Sequence, residues 1–389
     1  MNENRKSKRH IPRYVALPLI FIVSLVISLI ITDRVFVFIL GDDFAPNIRR
    51  PDLELGTAQI PTAEALQISY CPLGNNGPAG WIKNRYHVRI NSMGFRSAGV
   101  SFDDRNKTRV ICLGDSCTFG WGEEEKDIYP SVLERDLSES LPTRVYNTGV
   151  AAYSSAQGLV QFRKVKNILA PDVVTISFGG NDGCDVLDRP PFFALPRLPD
   201  RNLFGVSLQL GPWRKLSYLT LRYLSTRFSG SAMLSWLNNR TLINYKANLK
   251  RGQVKKSGIP RVSIDDYRGN IEGIIAEAAQ RKAVSVIVVI CALPEYIAAA
   301  QEVAQKTQTP LVVANQLFSG TPESFEANPE YREFVGIVKE RFGEYNLRRY
   351  PGLLFTNDFC HPNPLGHKLI GDAIAEEVEK LLASSKSER

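Results

Sequence analysis

The chain has 389 residues, which is enough for one large domain or for one domain with additions. Its apolar content of 44% and charged content of 23% are those of a globular protein and exclude a largely disordered chain. The net charge is +8, and the 6 cysteines include no closely spaced pairs. The sequence therefore has neither a zinc signature nor a disulfide-rich pattern, and we expect no metal and no cofactor.

An apolar run near the amino end determines where in the cell we expect the protein. Residues 14–32 carry no charge and, as a helix, span about 28 Å, close to the thickness of a bilayer's hydrocarbon core. Basic residues precede the run and predict a cytoplasmic amino end; they are Arg5, Lys6, Lys8, Arg9 and Arg13. A cleaved signal peptide is the alternative, but no small-x-small site follows the run.

We therefore predict three segments before the main domain. Residues 1–13 form a basic cytoplasmic tail, and residues 14–40 form a single-pass signal anchor in a bacterial inner membrane. Residues 41–107, rich in Pro, Gly and Asn, are predicted to be a stalk and an irregular lead-in. Within them, alternation predicts a strand over 86–90, and a turn is predicted over 91–96. The remainder is expected in the periplasm, where disulfides are permitted.

From residue 108 onward, apolar strand patterns alternate with helical patterns. The predicted strands are 110–113, 145–147, 173–177, 284–290 and 311–314, and the predicted helices are 128–141, 156–169, 267–280, 329–342 and 365–382. Alternation of this kind is typical of a parallel sheet covered on both faces. We predict an α/β fold over 108–383: a three-layer α/β/α sandwich with a mainly parallel sheet of about five strands in flavodoxin-like order.

A basic aromatic insertion, placed at about 185–262, interrupts this alternation. Its part from 201 to 262 has no Asp or Glu, and its basic residues are Arg201, Arg214, Lys215, Arg222, Arg227, Arg240, Lys246, Lys250, Arg251, Lys255, Lys256 and Arg261. Such a segment suits an anionic lipid surface or an acidic glycan. The alternative is a solvated helical cap over the active-site end of the sheet. Nucleic acid fits the composition but not the expected compartment.

Several polar groups follow the predicted strands. Ser116 comes just after the first strand, where it is either the cap of the next helix or a reactive group. Gly149 follows the second strand and Asn181 the third, and each could donate to an oxyanion. Asp358 precedes His361 by three residues, a spacing that can orient an imidazole as a base. For the other histidine near the carboxyl end, His367, capping or packing is predicted.

These motifs together resemble the SGNH/GDSL hydrolase superfamily. The four blocks, in order, are Gly114-Asp115-Ser116, Asn147-x-Gly149, Gly179-x-Asn181-Asp182 and Asp358-x-x-His361. The resemblance implies that Ser116 is the nucleophile, His361 the general base and Asp358 the residue that orients it. It also implies an oxyanion hole made of the Ser116 N–H, the Gly149 N–H and the Asn181 amide. The anchor and the 91–96 motif are similar to those of membrane-tethered bacterial members, some associated with extracellular polysaccharides.

Two features depart from the family pattern. Ala152 stands where many members have a second glycine, and three cysteines lie close to implied site residues: Cys117, Cys184 and Cys360. These cysteines either include a disulfide pair or act as small apolar fillers.

Three functions remain open from the sequence. The first is a serine esterase that releases an acyl or acetyl group from an extracytoplasmic glycan or lipid-like ester. An O-acyltransferase that uses the same site is the second, because sequence does not report water exclusion from an acyl-enzyme. The third is a non-catalytic protein that binds a glycan or a membrane surface.

Overall fold

The computed structural model describes residues 13–40, 48–52, 55–72, 81–99, 101–186, 199–200, 231, 257–318, 320–344 and 360–387. Asp358 and most of the basic segment 201–262 lie outside the described residues. Arg261, at the end of that segment, is described: it is buried, and its guanidinium bonds Asp200 at 2.9 Å. Arg261 therefore forms a structural ion pair with Asp200 and is not available to an anion-binding surface. This corrects the prediction that counted it among the basic residues of such a surface.

The amino-terminal helix, α1, runs from Arg13 to Leu40. Its window Leu17–Val35 has a mean hydropathy of 2.1, and none of that window is buried in the protein. The predicted apolar helix is confirmed, and its length and composition are those of a membrane span or a signal sequence.

The lead-in is more regular than the sequence predicts. Strands β1 (Arg49–Asp52) and β2 (Gly56–Gln59) pair antiparallel, and so do β3 (Glu64–Pro72) and β4 (Trp81–Arg89). Short apolar runs among Pro and Gly concealed three of these four strands. The predicted turn is confirmed: Gly94 has a φ of +85°, and the Asn91 side chain accepts the N–H groups of Met93 and Phe95.

Within the described residues, the main domain is built on one parallel sheet of five strands. They are β5 (Thr108–Gly114), β6 (Thr143–Asn147), β7 (Val173–Ser177), β8 (Val284–Val289) and β9 (Leu311–Val313). Their spatial order is β6-β5-β7-β8-β9, with every pair parallel. This is the flavodoxin-like order, so the predicted fold class is confirmed.

The helices after the lead-in complete the main domain. In chain order they are α2 (Ser116–Phe119), α3 (Tyr129–Ser140), α4 (Ser155–Leu169), α5 (Ile264–Ala279), α6 (Pro294–Thr307), α7 (Ala314–Leu317), α8 (Pro322–Ala327), α9 (Pro329–Phe342) and α10 (Pro364–Ser387), and short 3₁₀ turns span Phe102–Asn106 and Glu125–Asp127. No helix was predicted over the short α7 and α8 or over the longer α6. Its buried face consists mostly of alanines, which contrast weakly with their polar neighbours.

Two apolar clusters cover opposite faces of the sheet, because alternate side chains of a strand point to opposite sides. Ile111 and Leu113 of β5 pack in the cluster that contains α4, α5 and α6. Val110 and Cys112 pack in the cluster that contains α3 and α10. The sheet is thus the middle of three layers, and the carboxyl ends of its strands form one edge at which loops meet.

Candidate active site

Ser116 is the first residue of α2, directly after the end of β5. Gly114 permits this sharp turn, because a Cβ there would lie 1.9 Å from Thr118 Oγ1 and 2.8 Å from the Ser177 carbonyl oxygen. Asp115 is the N-cap: its Oδ1 accepts the Cys117 N–H at 2.9 Å. The cap is therefore Asp115 and not Ser116, so the Ser116 side chain has no capping role.

His361 lies within hydrogen-bond distance of Ser116. Its Nε2 is 2.7 Å from Ser116 Oγ, as a nucleophile and its base require. His361 comes just before α10, whose start is fixed by Asn363, since Asn363 Oδ1 accepts the Gly366 N–H at 2.9 Å. Asp358, implied to orient this imidazole, lies outside the described residues.

The Asn181 amide and Asp115 connect two strand ends. Asn181 Nδ2 donates to Asp115 Oδ2 at 3.1 Å, while Asp115 Oδ1 holds α2. Burial raises the pKa of Asp115, opposed by its bond from the Cys117 N–H and by the nearby His361. One carboxylate thus fixes both the serine helix and the amide of the third block, a role that the sequence analysis did not assign.

Gly149 lies against the backbone of α2. A Cβ on Gly149 would be 2.4 Å from the Phe119 nitrogen and 2.8 Å from the Thr118 carbonyl carbon. Its own N–H donates to Asn147 Oδ1 at 3.0 Å, and the next N–H, of Val150, donates to the Gly114 carbonyl at 3.1 Å. The loop after β6 is therefore held against the loop after β5, as their shared sheet edge predicts.

Asp182 supports the loop that carries Asn181. Its carboxylate accepts the N–H and the hydroxyl of Ser155 at the start of α4, and also the Gly179 N–H at 3.1 Å. Gly179 has a φ of +132°, which favours glycine. Burial raises the pKa of Asp182 to about 6, although its hydrogen bonds from Ser155 oppose the shift. Asp182 has a structural role in this arrangement.

Arg96 holds the chain that leaves α2, and the sequence analysis gave it no role beyond the 91–96 motif. Its guanidinium is fully buried and donates to carbonyl oxygens of four residues: His87, Phe119, Gly120 and Glu123. Burial lowers the pKa of Arg96. A buried charge that satisfies four carbonyls fixes the path of this segment.

The lead-in contacts the site directly. Gln59 Nε2 of β2 donates to the Gly149 carbonyl at 3.1 Å. The Arg49 guanidinium lies 5.7 Å from the centre of the Trp121 ring, and that ring is centred 6.4 Å from the His361 imidazole. These contacts place Arg49 and Gln59 of the lead-in beside the loops that surround Ser116.

The cysteines whose side chains the structure describes include one disulfide. Cys360 pairs with Cys291, which was not among the three cysteines singled out from the sequence. Cys117, only 1% exposed, packs in the cluster with α3 and α10, and Cys184 Sγ donates to the Gly180 carbonyl. Among the described residues, Cys117 and Cys184 thus lie outside any disulfide.

The structure also shows how His367 packs and which backbone conformation Ala152 adopts. His367 is fully buried, accepts the Tyr129 N–H at 3.2 Å and stacks on the Tyr129 ring, so its predicted packing role is confirmed. Burial lowers the pKa of His367 to about 3. Ala152 has a φ of +70°, the left-handed conformation that glycine adopts more easily, which explains why a glycine is common there in the resembling family.

The fold and the Ser116–His361 pair define a class: an α/β protein with a serine and an imidazole in contact at the carboxyl edge of a parallel sheet. A family model described as GDSL-like lipase/acylhydrolase matches residues 112–369, and the chain belongs to that family. It is a serine hydrolase that acts on ester bonds.

Solved structures similar to this chain include enzymes described as esterases and lipases. The esterase EstA from Pseudoalteromonas sp. is 13% identical, with 71% of this chain and 99% of that chain covered and a TM-score of 0.38. The lipase/acylhydrolase from Enterococcus faecalis is 17% identical, with 70% and 95% covered and a TM-score of 0.36. AlinE4, described as an SGNH-hydrolase family esterase, is 18% identical, with 74% and 99% covered and a TM-score of 0.32. Comparison with curated proteins found no match.

Proposed function

We propose that this chain is a membrane-anchored esterase that forms an acyl-enzyme on Ser116. The observation that carries the proposal is the 2.7 Å contact between His361 Nε2 and Ser116 Oγ. In the first step, Oγ attacks the ester carbonyl while Nε2 takes the hydroxyl proton, and the imidazolium then protonates the departing alcohol. In the second step, water attacks the acyl carbonyl while His361 takes a proton from it. The imidazolium then returns a proton to Ser116 Oγ as the acyl–Oγ bond breaks, which releases the acid and regenerates both residues.

The remaining roles concern charge and orientation. Asp358 orients the imidazole so that Nε2 faces the serine. The developing oxyanion is stabilised by the Ser116 N–H, the Gly149 N–H and the Asn181 amide. The bond of the Asn181 amide to Asp115 supports this role, because it fixes the amide before substrate binds. The Gly149 N–H is held by Asn147 Oδ1, so the oxyanion must share or displace that acceptor.

The proposed substrate is an ester of a short acyl or acetyl group on an extracytoplasmic glycan or lipid-like molecule. The apolar helix α1 supports attachment to a bacterial inner membrane, and the basic residues before it favour a periplasmic catalytic domain. Ser231, within the basic segment, donates to Asp33 near the end of α1 at 2.7 Å. This contact supports a position of Ser231 near the membrane surface, and the basic residues of the segment are proposed to contact anionic lipid or acidic glycan.

The test compares the full chain in detergent with its Ser116→Ala variant on nitrophenyl esters from acetyl to long acyl. We expect hydrolysis to fall by about 10⁴-fold or more, because the covalent step is lost while binding and oxyanion contacts remain. Ser138→Ala, at an exposed position on α3, is the matched control and should keep full activity.

A fluorophosphonate probe separates catalysis from folding. It should label the wild type at Ser116 and leave Ser116→Ala unlabelled while both give the same circular dichroism spectrum. Hydrolysis that survives the substitution contradicts the nucleophile assignment. A folded wild type that neither hydrolyses any ester in the panel nor takes the label favours a binding protein instead.

A further inference from the structure

Three cysteines from distant parts of the chain meet beside Ser116 and His361. Cys117 follows the serine in α2, Cys291 lies just after β8, and Cys360 directly precedes the histidine. Cys291 and Cys360 are joined as a disulfide with a Cα–Cα distance of 4.9 Å. Cys117 Sγ lies 4.0 Å from Cys360 Sγ and 3.3 Å from the Cys360 carbonyl oxygen. A third sulfur is therefore in contact with the disulfide at the catalytic edge.

Three of the nearby side chains lie close enough together to reach a metal site by a small movement. One ligand atom each from Cys117, Cys360 and His361 lie within 4.8 Å of one another. Zinc binds thiolate sulfur at about 2.3 Å and imidazole nitrogen at about 2.0 Å, so tetrahedral ligand atoms are separated by roughly 3.5–3.8 Å. The three groups need to approach by at most about 1.3 Å to reach that geometry. If the disulfide opens, Cys291 Sγ starts beside Cys360 and completes a Cys₃His set, a preferred zinc ligand set.

We propose that reduction of the Cys291–Cys360 disulfide creates a site for Zn²⁺ or a similar thiophilic divalent ion. Cys117, Cys291, Cys360 and His361 are its ligands. A dithiol supplies two electrons and two protons to the disulfide and is itself oxidised to a disulfide. The three thiols then release their protons to solvent as the metal binds, and His361 binds as the neutral imidazole.

Metal in this site inhibits the hydrolase. The imidazole that serves Ser116 as a base becomes a metal ligand and no longer accepts a proton, and this consequence rests on the proposed function. In an oxidising compartment the disulfide stays closed and the site is absent. Sequence spacing gave no zinc signature, because the ligands come from three separate segments.

Metal binding is tested without reference to activity. The full chain in detergent is reduced with a phosphine and titrated with Co²⁺, whose thiolate charge-transfer and tetrahedral visible bands report sulfur ligands. We expect one equivalent to bind to the reduced chain and none to the oxidised chain, with Zn²⁺ displacing the cobalt. Cys117→Ala removes a direct ligand and should weaken binding by more than about tenfold, which is the smallest loss typical of removing even a group behind a ligand. Cys184→Ala, which removes a nearby thiol outside the set, should bind as the wild type does.

If reduction by phosphine unfolds the wild type, the Cys291→Ser variant tests the metal site instead. It cannot form the native disulfide and keeps three ligands, so it should bind one equivalent of Zn²⁺, and adding Cys117→Ala should abolish that binding. Folding of each variant is checked by near-ultraviolet circular dichroism. A folded reduced chain that takes up no metal, binding unaffected by Cys117→Ala, or loss of the fold whenever this disulfide opens would each overturn the proposal.

Inhibition provides the second measurement. Zn²⁺ should inhibit ester hydrolysis by the reduced chain, a chelator should restore it, and the oxidised chain should resist the same concentration. If the oxidised chain hydrolyses no ester, the proposed function fails, while the cobalt spectrum still decides whether the site exists. Binding of cobalt through thiolates without inhibition by Zn²⁺ contradicts the assignment of His361 as a ligand.

Discussion

The contact between Gly149 and α2 predicts that Gly149→Ala disrupts catalysis with limited damage to the fold. The added Cβ would lie 2.4 Å from the Phe119 nitrogen, about 1 Å inside ordinary van der Waals contact. Its nearest neighbours are two backbone atoms of α2 and the Thr118 Cβ, whose position the backbone fixes, so no side-chain rotation can relieve the overlap. Either the loop after β6 or the helix that carries Ser116 must move by roughly that amount.

The expected loss follows from this displacement. A misplacement of about 1 Å in a catalytic group costs about 10²-fold in rate, and loss of one oxyanion donor costs about 10²–10³-fold. We therefore expect kcat/KM for nitrophenyl esters to fall by at least about 10²-fold, mainly through kcat. Overpacking of this kind costs about 1–3 kcal/mol of stability, which leaves a typical domain folded.

Gly269→Ala is the matched control for the added methyl group. Gly269 lies within α5, with no atom within 4 Å of the position of its added Cβ. We expect unchanged kinetics and a gain of about 0.5–1 kcal/mol, because alanine favours helix over glycine. Both variants are assayed by steady-state kinetics and urea unfolding. A Gly149→Ala enzyme with kcat/KM within threefold of the wild type would refute the argument that this close contact positions Ser116.

Three further predictions follow from the described contacts. Asn181→Ala should lower kcat by about 10²–10³-fold with a small change in KM, since an oxyanion donor acts in the transition state. Steady-state kinetics measure both constants, and a rise in KM as large as the fall in kcat counts against this role for Asn181. Arg96→Met should cost at least about 3 kcal/mol in urea unfolding, because four carbonyls lose their donor and the three buried ones cost about 1–3 kcal/mol each. Arg135→Met is the control: its side chain is 50% exposed, and the change should cost under about 1 kcal/mol. Burial lowers the pKa of His367 to about 3, below the ordinary 6.5. As the pH falls, the unfolded chain therefore binds this proton before the folded chain does. The free energy of unfolding should fall between about pH 6.5 and 3, by up to about 1.4 kcal/mol per pH unit. His367→Gln should remove that part of the slope between pH 4 and 6.5, and an unchanged slope in urea unfolding contradicts the assignment.

The sheet was predictable because its strands are buried on both faces. Residues 173–177 were predicted with their observed bounds, and the seven-residue run 284–290 differs from β8 by one residue. Continuous apolar runs of this length have few alternatives once helical patterns separate them. Three strands of the lead-in were harder to predict, because their short apolar runs lie among Pro and Gly. In β4, where alternation predicted a strand, Tyr86 and Val88 are buried in a cluster with Phe119 of α2.

The reactive groups were easier to predict than the groups that support them. Ser116 and His361 belong to short motifs whose chemistry depends on residue type, and the structure brings them into contact. Cys291 carries no such signal, because a cysteine's partner is decided by folding over a separation of 69 residues. Gln59 likewise reads as an ordinary polar residue, yet its amide holds the Gly149 carbonyl.

Burial is what distinguishes the supporting residues. Asp115, Asp182 and Arg96 are charged types that usually lie at a surface, and here each is at least 97% buried. A buried charge without partners is costly, so each of them is tied to several backbone or side-chain groups. Those groups include parts of the segments that carry Ser116 and Asn181, and also Ser155 at the start of α4 and His87 of β4. A catalytic site built from distant segments needs buried polar residues that bond those segments to one another. The sequence specifies their residue types, but the hydrogen bonds that make them necessary exist only in the folded chain.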